Sequence, residues 1–122
     1  MRIARRSETP FAVMATDTFT DPVQRRDLGR IDALDGTALV VAFGAGVRNH
    51  WHSHPGGQVL YVVDGNGRVG TRDGTVVEIR AGDLVEASPN EEHWHGASRD
   101  EAMTHLALSF GETAWLEPVS DD

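Results

Sequence analysis

From Thr37 onward, apolar side chains tend to recur at every second position. Leu39, Val41 and Phe43 share one face of a predicted strand over 37–45. A second strand is predicted over 58–63, followed by Asp64-Gly65-Asn66-Gly67, which reads as a hairpin turn. The chain is expected to return over 68–72, turn at Asp73-Gly74, and run on over 75–80. Further turns at Ala81-Gly82-Asp83 and Ser88-Pro89-Asn90-Glu91 separate strands over 84–87, 93–97 and 102–110. Turn signals at 8–12-residue spacing and no helix-period segment predict an all-β sandwich or barrel. Residues 1–36 are less regular, broken by Thr-Pro and Asp-Pro, and are expected to form an N-terminal arm. Its short edge strands are expected over 2–6 and 23–28, before a turn from Asp32 to Gly36. Residues 37–110 are expected to form the barrel. The tail, 111–122, carries Trp115, Leu116 and Val119 and is expected to fold back over an open end.

At 122 residues the chain is the size of one domain, and its 39% apolar content is that of a globular protein. There is no cysteine, which excludes disulfides, thiolate nucleophiles and cysteine-ligated zinc. All eleven basic residues are arginine, so Schiff-base chemistry is excluded as well. A net charge of −8 without a basic stripe argues against a nucleic-acid partner. No apolar run approaches the about 18 residues that span a bilayer. The apolar patch from Phe11 to Ala15 is too short for a signal-peptide core. The expectation is a soluble, cytoplasmic protein with no membrane partner. A small domain with open strand edges is expected to form a homodimer or higher homo-oligomer.

All six histidines lie between positions 50 and 105, five of them in the clusters His50/His52/His54 and His93/His95. Residues two apart on a strand point the same way, so each cluster aims its imidazoles at one face. Neutral imidazoles on one face chelate Mn, Fe, Co, Ni, Cu or Zn. A lone His-x-His pair is more often structural. Here Pro55-Gly56-Gly57 would turn Gln58 back beside His52 and His54, and His93 follows after the hairpins. These four, His52, His54, Gln58 and His93, are the expected ligands of one divalent metal ion.

Their spacing resembles the cupin family, within the RmlC-like superfamily. The first motif runs Gly46, His52-Ser53-His54, Gln58, Gly65 with every interval kept. The second runs Gly82 to His93, with Pro89 one place late, Asn90 at the glycine position and Ala97 at the asparagine position. The resemblance implies a double-stranded β-helix, or jelly-roll barrel. The His/His/Gln/His set and the segments around Trp51–Gln58, His93–Ala97 and Met103–Ala107 are similar to the small bacterial cupins that include manganese-dependent hydroxynitrile lyases. The metal so implied is manganese first, with Fe, Ni, Co and Zn as alternatives. Gln58 stands where most cupins carry glutamate, leaving the centre one charge more positive. Ser109 replaces a pocket glutamine of those lyases, and His50 a small residue.

The resemblance further implies a small-molecule substrate beside His95 and His105. His105 is the expected base of a cyanohydrin cleavage, with His95 second or assisting cyanide. Structural hydrogen bonding is the competing reading for both. Phe43, Leu60, His50 and Ser109 are expected to touch substrate, while Leu39, Val41, Val62 and Met103 read as core. Tyr61 and Trp94 take the opposite parity and are expected to face outward, with Trp51, toward a subunit interface. The same open metal site serves a manganese or iron oxygenase that splits an alkene or aromatic, or a non-enzymatic binding cupin, and the three readings stay open here.

Overall fold

Ten antiparallel strands form from the described residues: β1 (Ala12–Met14), β2 (Val23–Ile31), β3 (Gly36–Phe43), β4 (His52–Ser53), β5 (Gln58–Thr71), β6 (Val76–Arg80), β7 (Leu84–Ala87), β8 (His93–Ala97), β9 (Met103–Phe110) and β10 (Ala114–Trp115). The computed structural model describes residues 1–14 and 17–120. Ala15 and Thr16 of the expected arm, and Asp121 and Asp122 of the expected tail, lie outside the described residues.

The strands make two sheets that share β5. The first is ordered β1-β2-β3-β9-β5-β7 and the second β6-β5-β8-β4-β10. The first half of β5 pairs with β9 and β7, and the second half with β8 and β6. This curled antiparallel arrangement is the double-stranded β-helix of a single domain. Among the described residues the only helical segments are 3-10 turns at Arg6–Glu8 and Asp32–Leu34, and no helix is long and apolar enough to cross a membrane.

Register sets which side chains meet inside. Val41, His105 and Val62 lie directly opposite one another across β3, β9 and β5, and Phe43 lies opposite Met103. Val23, Val41, Phe43, Val47, Val62, Ile79, Ala97 and Met103 form one buried cluster. Burying each larger side chain there contributes roughly 1.5–3 kcal/mol.

Three expectations are corrected. Asp64-Gly65-Asn66-Gly67 is not a hairpin turn, because β5 runs through it. Gly65 supplies a bend at φ 79°, a left-handed conformation that costs other residues, and its missing Cβ makes room for the Ala102 carbonyl. The register shift between Val62 and Asp64 falls beside this bend, where the strand passes from one sheet to the other. No strand forms over 2–6; the arm instead makes its 3-10 turn and then β1. Tyr61 faces outward and is 42% exposed, but Trp94 is only 4% exposed. Arg48 and Arg68 place their guanidinium groups 5.3 and 5.5 Å from the Trp94 ring, covering it from outside the sheet. Trp51 carries Arg72 at 4.0 Å in the same way.

Candidate metal centre

The expected donors come from both sheets. His52 on β4 lies directly opposite His93 on β8, and His95 follows two residues along the same strand. His54 lies just past β4. Gln58 opens β5, directly opposite Ser109 of β9. The turn between His54 and Gln58 needs Gly57, whose φ is 87° and where a Cβ would press on the Ala87 carbonyl oxygen at 2.8 Å. Asn90 takes the second motif's glycine position with φ 64°, a conformation asparagine tolerates. Its N–H donates to the His54 carbonyl at 2.8 Å, which holds that turn against the strand carrying His93.

His52, His54, His93 and His95 pack into one cluster. Ring centroids are 4.3 Å apart for His52–His93, 5.1 Å for His52–His54, 5.8 Å for His54–His93 and 5.1 Å for His52–His95. His105 extends it, 4.8 Å from His95. All five imidazoles are buried.

The hydrogen bonds sort the ring nitrogens. His52 Nδ1 lies 2.9 Å from the His50 carbonyl oxygen and His93 Nδ1 2.9 Å from the Glu91 carbonyl oxygen. A carbonyl only accepts, so each Nδ1 carries the proton and each Nε2 presents a lone pair. His54 Nδ1 meets the Thr113 hydroxyl at 3.1 Å, and its Nε2 is buried with no hydrogen-bond partner. An imidazole tied at one nitrogen and open at the other is the arrangement of a metal ligand.

Gln58 completes the pattern. Its Nε2 donates to Ser109 Oγ at 2.9 Å, and its Oε1 lies 2.8 Å from His93 Nε2. Both atoms of that second contact are lone-pair donors when His93 is neutral, so their approach is favourable only toward something positive. Two donors bound at a right angle to one metal, at about 2.1 Å each, lie about 3 Å apart. The residues therefore fit a divalent cation.

Burial holds these rings neutral, the state in which they ligate. It is the first cause in each case, reinforced by neighbouring imidazoles for His52, His54 and His95. His52 is pushed down to about 3, and His54 and His105 to about 4, from 6.5; His93 is lowered and His95 is well below its ordinary value.

A second triplet overlaps the first. Ring nitrogens of His52, His93 and His95 all lie within 4.8 Å of one another, so His95 stands near enough to share the cation. His95 has its own support: Asn49 accepts its backbone N–H at Oδ1 (2.9 Å) and places Nδ2 3.2 and 3.3 Å from its two ring nitrogens. His105 Nε2 lies 3.1 Å from His95 Nδ1. His105 Nδ1 is buried with no partner.

Of the residues expected at the substrate, Phe43 touches both rings, 5.2 Å from His105 and 6.1 Å from His95. Leu60 is buried on the same face of β5 as Gln58. The Ser109 hydroxyl is engaged by Gln58. His50 is half-buried and, among the described residues, makes none of the ring contacts that join the other five. Its carbonyl is what serves the site. Sequence reasoning missed Asn49 and Thr113. Trp115, expected only as a cover, packs at a tilt 4.7 Å from His52 and 6.0 Å from Phe19. A concavity of about 1180 Å³ lies elsewhere, on the outside of the second sheet against Trp94, Arg68 and Arg72.

The family model for the cupin domain matches residues 39–109, more than half the chain. This chain belongs to the cupin family. Over 86 residues the cupin is 46% identical to an (R)-mandelonitrile lyase of Granulicella tundricola, covering 67% of this chain and 66% of that enzyme's length, just under two thirds. It superposes on a cupin-like protein of Thermotoga maritima with a TM-score of 0.84 and 36% identity, covering 90% of this chain and 87% of the other. A DMSP lyase of Ruegeria pomeroyi shares the fold at a TM-score of 0.71 and 16% identity, over 94% of this cupin and 64% of that chain. An enzyme is thus among its relatives.

Proposed function

We propose that this cupin is a metal-dependent lyase of the hydroxynitrile type, splitting a small cyanohydrin into an aldehyde and hydrogen cyanide, or running the reverse addition. The observation that carries the reading is the 46% identity to a mandelonitrile lyase. The buried unpartnered base beside the imidazole cluster supports it. His52, His54, Gln58 and His93 would hold the ion, manganese by resemblance. When bound, a divalent cation with neutral protein ligands supplies Lewis acidity for a substrate oxygen.

The chain's own residues account for the rest. His105 accepts the cyanohydrin hydroxyl proton at Nδ1, the lone pair left open inside the barrel. As the carbonyl forms, the carbon–carbon bond breaks and its electron pair leaves with cyanide. The proton follows to give hydrogen cyanide, so no oxidant or reductant enters. His95, 3.1 Å from His105, orients that base. Phe43, packed on both rings, keeps water from them. On the outer face of the first sheet, Tyr61 and Leu84 lie directly opposite each other and are exposed, which supports self-association through that face.

The test is cyanide release from mandelonitrile by protein stripped with a chelator and reloaded with manganese. Release that depends on the metal is the expected result. Protein of confirmed manganese content that releases none overturns the reading. Oxygen uptake with a styrene-like substrate would then assign the site to oxygenase chemistry.

A further inference from the structure

Ser109 occupies a position where the resemblance implied a substrate contact, yet its hydroxyl faces Gln58. The two residues are a directly opposed cross-strand pair on β9 and β5, 8% and 5% exposed, and Gln58 Nε2 donates to Ser109 Oγ at 2.9 Å. A carboxamide has nearly the same shape when turned by 180°, so its hydrogen-bond partners alone decide which end faces where. At the other end, His93 has committed its Nδ1–H to the Glu91 carbonyl and offers Nε2 as a lone pair. In a metal-free protein that lone pair would favour the amide turned round, with N–H toward His93. For Oε1 to reach a cation instead, something must take the N–H group.

We propose that Ser109 is a positioning residue of the metal centre, holding the Gln58 carboxamide with Oε1 turned toward the imidazoles. The inference rests on the metal-binding reading above. A hydroxyl suits the task because it accepts from Nε2, satisfying the buried amide N–H that would otherwise turn toward the His93 lone pair. The hydroxyl is not needed as a substrate ligand.

The test is the equilibrium affinity for Mn²⁺ alone, measured by chelator competition on stripped protein. Removing an outer partner of a ligand costs about 10–100-fold in metal affinity. Ser109→Ala should lose affinity within that range, while Ser109→Thr, which keeps the hydroxyl, should stay near wild type. Ser109→Cys is close in size but a weak acceptor, and should also lose affinity; it serves if Ser109→Ala does not fold. In a Gln58→Ala background, adding Ser109→Ala should change nothing further. Wild-type affinity in both Ser109→Ala and Ser109→Cys overturns the assignment. So does a further loss in the Gln58→Ala background, since Ser109 would then act by another route. Wild-type protein that takes up no Mn²⁺ overturns the metal reading itself, an outcome distinct from the other two.

Discussion

His105 Nε2 lies 3.1 Å from His95 Nδ1, and both rings are buried. One shared hydrogen bond therefore couples the tautomers of the pair. With the proton on His105 Nε2, the unpartnered His105 Nδ1 is the basic atom. Loss of a positioned base typically costs 10²–10⁴-fold in rate, roughly the range expected for His105→Ala and His105→Gln. Metal content should be unchanged in both. A His105→Gln protein that keeps full metal and more than about a tenth of wild-type cyanide release would remove His105 from the chemistry.

The position of the cation separates two overlapping sets of nitrogens. If it sits among His52, His54, Gln58 and His93, then His54→Ala and Gln58→Ala each weaken Mn²⁺ binding by about tenfold or more, and His95→Ala changes it by less than about threefold. The opposite ranking would put the ion among His52, His93 and His95, whose nitrogens lie within 4.8 Å of one another. Metal analysis of the three variants, prepared side by side, decides it.

Acid should unfold the metal-free protein through these same rings. His52 titrates at about 3 and His54 and His105 at about 4 in the folded state, against 6.5 when exposed. The folded values lie below the unfolded value, so the unfolded chain binds protons first as pH falls. Their contribution is whole above about pH 6.5 and is lost progressively toward pH 4 and below, on the order of 1 kcal/mol per pH unit for each ring. Melting temperatures of stripped protein across that window should fall steeply. Added Mn²⁺ at neutral pH should raise the melting temperature, because a ligand that binds only the folded state stabilises it. A flat acid profile would show that the rings are not buried as neutral imidazoles.

Trp94 ties the outside of the second sheet together. Its indole lies over Gly70, where a Cβ would collide with it, beneath Arg48 and Arg68. Truncating a buried tryptophan costs about 3–5 kcal/mol. Denaturant melts of Trp94→Ala should show a loss of that order, with manganese affinity in the surviving folded fraction near wild type.

The clustering of the imidazoles was legible because strands have a period of two. Alternation aims each histidine cluster at one face; the cross-strand register then sets His52 opposite His93, and Gln58 returns beside them through the glycine turn. The hairpin expected at Asp64 to Gly67 failed because a local turn signal was outweighed by tertiary pairing. Gly65 bends the chain, yet the ladder is taken up at once by β6 and β8. Trp94 was placed on the correct parity, but its covering arginines approach from distant segments that parity does not describe. Asn49 and Thr113 were invisible for a related reason: their partners lie 46 and 59 residues away, and neither belongs to a repeating pattern.

The candidate donors ride on different walls of the barrel, Gln58 with the first sheet and His52 and His93 with the second. An ion gripped by all of them would be a rivet as well as a reagent, clamping the mouth where the two walls would otherwise part. Reactivity and cohesion then depend on the same few side chains. Exchanging one metal for another should alter how stiffly the barrel holds its shape at the same time as it alters what the barrel can do.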